Sequence, residues 1–183
     1  PLRRQRQMCI RDRAKQGPGG LKERALQKLG IDEDQVKEIA PVCFQGFRYE
    51  YSRLQPYVGF YGNAFFSSMY ETTWLFFGDE QVYVYNHAFD TTDNTLMDTT
   101  REYFYTDITA FATRSDSVQK KVWFVTGKGC TSSRESQLRN VDTETFRIVV
   151  PGEVFECAYR DDGDAAQQVA AMKQKLREKK QHQ

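Results

Sequence analysis

The chain has 183 residues, 26 of them basic and 25 acidic for a net charge of +1, and 14% are Phe, Trp or Tyr. That length suits one domain with a real core, and the longest apolar runs are too short for a membrane-spanning helix. Four dispersed cysteines and two histidines offer neither a CxxC pair nor zinc spacing, so no metal or other cofactor is expected.

Residues Arg3 to Arg13, RRQRQMCIRDR, resemble a translated transposase adapter from sequencing libraries, so residues 1–20 are read as a non-native or disordered head. The native start, with any leader or anchor, is expected upstream of Ala14. Setting aside residues 1–13 removes five arginines and one aspartate, which leaves 21 basic against 24 acidic residues, net −3. The pI of about 8.1 is then mostly borrowed from the head. A mildly acidic domain without a basic stripe is not expected to bind nucleic acid, where affinity rests on phosphate neutralisation. The remaining cysteines, Cys43, Cys130 and Cys157, are odd in number and far apart, which fits a reducing compartment and a cytoplasmic protein.

Residues 21–40 read as a helical lead-in. Leu21, Ala25, Leu26 and Leu29 share one helical face and Gly30 stops it. Asp32 and Gln35 form a capping box for a second short helix, with Ile31 and Val36 as its staple, and Pro41 ends it. Residues 42–181 read as the β domain. Val42 to Tyr51 alternates as a strand weakened by Gly46, and Leu54 to Ala64 reads as a tyrosine-containing loop. Tyr70 to Phe89 is the strongest signal, two aromatic and β-branched arms around Gly78, Asp79 and Glu80, with Val82 and Val84 alternating against Tyr83 and Tyr85.

Asp90 to Thr100 reads as a polar connection, Arg101 to Thr113 as a strand, Ser115 to Ser117 as a turn and Lys121 to Thr126 as a strand. Gly127 to Ser133 reads as a loop and 135–141 as a weak edge strand. A second hairpin joins Thr145–Val150 to Glu153–Tyr159 through Pro151 and Gly152. Asp161, Asp162 and Asp164 lead into a helix at about 164–180, whose Ala165, Val169, Met172 and Leu176 form one apolar stripe. The architecture expected is mainly β with α: about seven antiparallel strands in a partly open barrel or sandwich, capped by the C-terminal helix.

The chemical inventory is thin. His87 reads as an ordinary strand position and His182 lies in the tail, so nucleophilic catalysis is poorly supplied. Asp90, Asp93, Asn94 and Asp98 lack the order of a calcium loop. Thr126 to Ser132, TGKGCTS, has phosphate-loop composition without the motif or a following helix, and Cys130 there sits near Lys128 and Arg134 in sequence. The chain is therefore read as not an enzyme. The aromatic surplus is the feature a single inward face cannot absorb, and Tyr83, Tyr85, Tyr103, Tyr105 and Trp123 are the candidate interaction surface.

Through TWLFFGDEQVYVY (73–85), EYFYTDIT (102–109), FRIVVPG (146–152), AMKQKLREKK (171–180) and KLGIDEDQVKEI (28–39), the chain resembles uncharacterised bacterial intracellular proteins with a pleckstrin-homology-like domain. The resemblance implies a seven-stranded bent pair of sheets capped by a C-terminal helix, and an adaptor role toward proteins or lipid head groups. It also implies that a phosphoinositide would sit on a basic loop between the first two strands. Placed at Gly78, Asp79 and Glu80, that loop is acidic and disfavours such a ligand. The expected function is a non-enzymatic protein-interaction module, using a sheet edge or an exposed aromatic face toward a protein partner. The alternative is a small-ligand or lipid carrier using the barrel interior, which requires a cavity.

Overall fold

The central hairpin forms as its alternation demands. In the computed structural model β4 (Met69–Phe77) and β5 (Gln81–Asp90) pair without a break from Phe77↔Val82 to Met69↔Asp90. The turn closes with Gly78 N donating to the Gln81 carbonyl at 2.9 Å, while Tyr105 Oη donates to the Gly78 carbonyl at 3.1 Å. The structure describes residues 18–36, 39–50, 55–61, 63–92, 95–126, 133–160 and 164–181. The head before residue 18, Asp93, Asn94, most of the 127–133 loop with Lys128 and Cys130, Asp161 to Gly163 and His182 lie outside the described residues.

Around the hairpin stand α1 (Pro18–Leu29), a 3₁₀ turn (Glu33–Val36), β1 (Val42–Arg48), β2 (Val58–Tyr61), β3 (Ala64–Ser67), β6 (Leu96–Phe104), β7 (Ala110–Thr126), β8 (Ser133–Val150), β9 (Glu153–Ala158) and α2 (Asp164–Gln181). They make a mainly β fold of two sheets with no closed barrel. Sheet 1 is an antiparallel array in the order β1-β4-β5-β6, and sheet 2 runs β3-β2-β7-β8-β9. Sheet 2 is antiparallel except for a short parallel contact of β2 with β7 at Val58↔Val122 and Gly59↔Trp123. No helix among the described residues is long and apolar enough to cross a membrane.

Alternation sorts sheet 1 into two faces, and each buries an apolar cluster. Val42, Phe44, Leu75, Phe77, Val82, Val84 and Tyr103 point inward, where they meet Phe111, Phe146, Ile148, Phe155 and Cys157 of sheet 2. The α2 stripe, Val169, Met172 and Leu176, packs on the same core. On the outer face Trp74, Phe76 and Tyr85 lie under Leu21 and Ala25 of α1 and Val36 of the 3₁₀ turn. Each large apolar side chain so buried contributes about 1.5–3 kcal/mol. The helical lead-in is therefore part of the domain's packing, which explains why the Trp74–Phe77 end of β4 is apolar on both faces.

Strand β9 crosses the inner face of sheet 1. At its start Glu153 pairs with Arg101 and accepts from Tyr103 Oη, both on β6, and at its end Ala158 N donates to Glu71 of β4. Gly46 makes the crossing close, since a Cβ there would stand 3.1 Å from Cβ of Ala158. The β8–β9 turn uses Gly152 at φ +83°, a conformation costly for residues with a Cβ.

Five sequence expectations are corrected. The expected 54–64 loop contains strand: Phe60 pairs with Phe65 and Tyr61 with Ala64, which adds β2 and β3 and brings the described strands to nine where seven were expected. The Asp90 to Thr100 connection already contains the first half of β6, from Leu96 onward. The expected Arg101 to Thr113 strand is two strands in different sheets, broken after Phe104, whose carbonyl accepts from both Asp107 N and Ile108 N. Ser115 to Ser117 is no turn, and 135–141 is no separate strand. Both lie inside an unbroken β7–β8 ribbon paired from Ala110↔Val149 to Thr126↔Ser133.

That ribbon misleads because its buried face changes along its length. Near its open ends Phe111, Phe146 and Ile148 face the main core, whereas further out Val118, Val122 and Val141, on the opposite face, pack against Val58 and Phe65 of β2–β3. The polar middle is where one burial gives way to the other, so alternation vanishes there without a turn.

Candidate interaction surfaces

The five aromatic residues singled out from sequence are not brought together as one exposed surface. Tyr83 and Tyr85 share the outer face of sheet 1, with Tyr85 fully buried and Tyr83 half-buried against the cluster beneath α1. Tyr103 and Tyr105 lie in the main core. Trp123 alone sits out on the distal ribbon, half-buried and stacked on Tyr57 with ring centres 5.8 Å apart. The correction has one physical cause: covering elements from both chain ends claim the two faces that alternation leaves apolar.

What fastens α1 is an acid that reads in sequence as part of a connection. Asp98 of β6 accepts from Tyr85 Oη at 3.0 Å and lies 2.7 Å from His87 Nδ1, both on β5, while Arg24 Nη2 of α1 donates to its other oxygen at 2.5 Å. Lys28 Nζ is 3.8 Å away. Burial pushes the Asp98 carboxyl up, but the hydrogen bonds from His87, Tyr85 and Arg24 and the Arg24 charge outweigh it and hold it below the usual carboxylate range. Burial and the Asp98 contact push the Tyr85 phenol up. This junction joins helix to sheet. The sequence signal for it is Tyr85 and His87 two apart on one strand face, opposite an acid on the next strand.

A second buried acid ties the sheets together. Glu71, 2% exposed, accepts from Ala158 N and from Asn86 Nδ2 (3.1 Å), with Arg48 Nη1 at 3.7 Å. Asn86 Nδ2 also reaches Thr73 Oγ1 at 2.7 Å. Burial raises the Glu71 carboxyl above its ordinary value against the Arg48 charge and the Ala158 and Asn86 hydrogen bonds. Beside it the Cys157 thiol is raised by burial and by the Glu71 charge, and burial pushes the half-buried Cys43 thiol up to about 12. Neither cysteine is poised as a thiolate.

A cleft of about 320 Å³ opens where the end of β1 meets the polar middle of the β7–β8 ribbon. Of the charged residues lining it, Arg114 pairs with Asp116 (2.6 Å), Glu50 with Lys120 behind the wall (2.8 Å) and Glu156 with Arg147 (2.7 Å), so these charges are already engaged. Between the sheets, the space a carrier would use is filled by Phe44, Phe77, Phe146, Tyr105 and Met172. Among the described residues no group of three or more His, Cys, Asp or Glu could hold a metal ion.

Large apolar side chains stay exposed in several places among the described residues, Phe60, Phe66 and Val154 included. Strand β6 ends sheet 1, and Leu96 and Phe104 at its two ends are 58% and 51% exposed. On the distal ribbon, Leu138 is 66% exposed beside Trp123 and Lys121. No protein-family model, curated protein or solved structure matches the chain.

Proposed function

We propose that the chain is a non-enzymatic protein-interaction module of pleckstrin-homology-like fold that takes an extended segment of a partner protein on the β6 edge. The observation that carries this reading is the edge itself: nine residues ending a sheet, with a large exposed apolar side chain at each end. Such an edge offers backbone N–H and C=O groups to an added strand, and alternate side chains set its specificity. The fold part rests on order: a four-strand meander of β1, β4, β5 and β6, then β7, β8 and β9, then a helix on the core.

The partner is another protein rather than a second copy of this chain. Antiparallel self-pairing centred on Thr100 would set Leu96 against Phe104 but Asp98 against Glu102, a like-charge juxtaposition that is destabilising. A complementary strand carries apolar residues opposite Leu96 and Phe104 and a basic residue opposite Glu102. A phosphoinositide is disfavoured on revised grounds. Because β1 precedes the central hairpin, the connection between the meander's first two strands is residues 49–68, which hold one arginine, Arg53, and no lysine. The filled core speaks against the carrier alternative.

The test is selection of dodecapeptides from a randomised display library on the full chain, followed by hydrogen exchange of the complexes. The expected peptides alternate apolar and basic residues, protect amides within 96–104, and are lost when Leu96→Lys and Phe104→Lys are combined in a variant that melts like the parent. Enriched basic peptides that leave those amides unprotected would overturn the reading, as would the absence of any such class.

A further inference from the structure

The distal face of the β7–β8 ribbon carries an inference independent of the β6 edge. The ribbon turns Val118, Val122 and Val141 toward β2–β3, so the residues alternating with them face the other way. Those are Gln119, Lys121 and Trp123 on β7 and Arg134, Ser136, Leu138 and Asn140 on β8. Within this stretch the face contains no carboxylate. Register places Lys121 directly opposite Leu138 and Trp123 opposite Ser136, with Arg134 one pair-step diagonal to the indole. The Lys121 ammonium stands 5.0 Å from the Trp123 ring, and Lys121 and Arg134 are exposed, with no acidic partner among the described residues.

We propose that this face is a docking site for an acidic, extended polypeptide segment, one apolar side chain seated on Trp123 and Leu138 and carboxylates meeting Lys121 and Arg134. The choice of occupant rests on charge and shape. Two cations on this stretch of face, where the next acid along β8 is Asp142 beyond Asn140, call for a negative partner. An aromatic anchor flanked by charge is the composition of an interface hot spot. A membrane surface fits less well: clusters that hold anionic lipid carry about 4–8 basic residues, and Trp123, stacked flat on Tyr57 at an interplanar angle of 13°, does not project as an inserting side chain must.

The structure also supplies the reporter. The chain has two tryptophans, and Trp74 is buried beneath α1, so the Trp74→Phe chain reports on Trp123 alone. Dodecapeptides selected at low salt on that full-length variant should include an acidic class with one large apolar residue, which shifts Trp123 emission and weakens as salt rises. Combining Lys121→Glu with Arg134→Glu should weaken this class by about tenfold or more, whereas Leu96→Lys with Phe104→Lys should leave it intact, so peptide charge separates this site from the β6 edge. The proposal is overturned if no acidic class emerges, if the charge reversals leave its affinity unchanged in a variant that melts like its parent, or if Trp123 emission responds to phosphatidylserine-containing vesicles and not to acidic peptides.

Discussion

Replacing Glu71 tests whether the two sheets are held at their crossing by a buried acid. Glu71→Ala takes an acceptor from two donors and the counter-charge from Arg48. The Ala158 N–H is left buried without its partner, at a cost of about 1–3 kcal/mol. Asn86 keeps Thr73 Oγ1 at 2.7 Å, so its share is smaller. Arg48, whose side chain is 17% exposed, loses the charge facing it, and breaking a buried pair from one side costs about 3–5 kcal/mol in all. With a urea m-value of about 2 kcal/mol/M, the unfolding midpoint should fall by about 2 M at neutral pH with m unchanged.

Glu71→Gln keeps an amide oxygen for Ala158 N and should cost less, about 1–2 kcal/mol. The two variants also separate by pH. Because the folded carboxyl of Glu71 lies above its unfolded value, its protonation favours the fold. That stability is complete below the unfolded value near pH 4.5 and is lost as pH rises through the folded value. Glu71→Gln lacks this decline, so its deficit relative to the parent should narrow as pH rises toward neutrality. An alanine midpoint within about 0.3 M of the parent, equivalent to well under 1 kcal/mol, would refute the reasoning, and so would a glutamine deficit that widens over that range.

Three further outcomes are expected. Phe76→Ala should destabilise by about 3–5 kcal/mol although it faces away from the main core, because α1 buries it completely; a loss near zero in thermal melts would mean α1 does not seal that face. Trp74→Phe should change stability by less than about 1.5 kcal/mol, since the buried Nε1 of Trp74 has no hydrogen-bond partner to lose. Asp98→Ala should cost about 1–3 kcal/mol by leaving Tyr85 Oη without its acceptor. In the parent the Asp98 contribution is present above the ordinary carboxylate pKa and is lost as pH falls through its lowered folded value. Stability curves for parent and Asp98→Ala that stay parallel through that acid range would remove Asp98 from the junction.

Local chemistry was legible wherever one rule acted on one segment. The period of two in Trp74 to Phe76 and Val82 to Tyr85, the Gly78 turn, the Pro151–Gly152 turn and the Val169, Met172, Leu176 stripe each name their element unaided. One missed element had its signal in plain view: Val58 to Tyr61 and Ala64 to Ser67 flank a Gly62–Asn63 pair, the composition of a two-residue hairpin turn. The Trp123 surface was only partly legible. Its indole stood out as a surplus aromatic with Lys121 two residues away on the same strand, but Tyr57, Leu138 and Arg134 join it through strand pairing and stacking between separate elements.

The sequence by itself determined that the chain is mainly β with a closing C-terminal helix, because periodicity and turn residues act within a few positions. Only the tertiary structure decided which aromatic residues meet solvent. An alternating strand offers two faces, and nothing within it says that α1 will cover Tyr85, that β9 will cross above Glu71, or that the β7–β8 ribbon will exchange its buried face halfway along. Burial is a property of what packs on a surface, and here the packing partners come from the opposite ends of the chain.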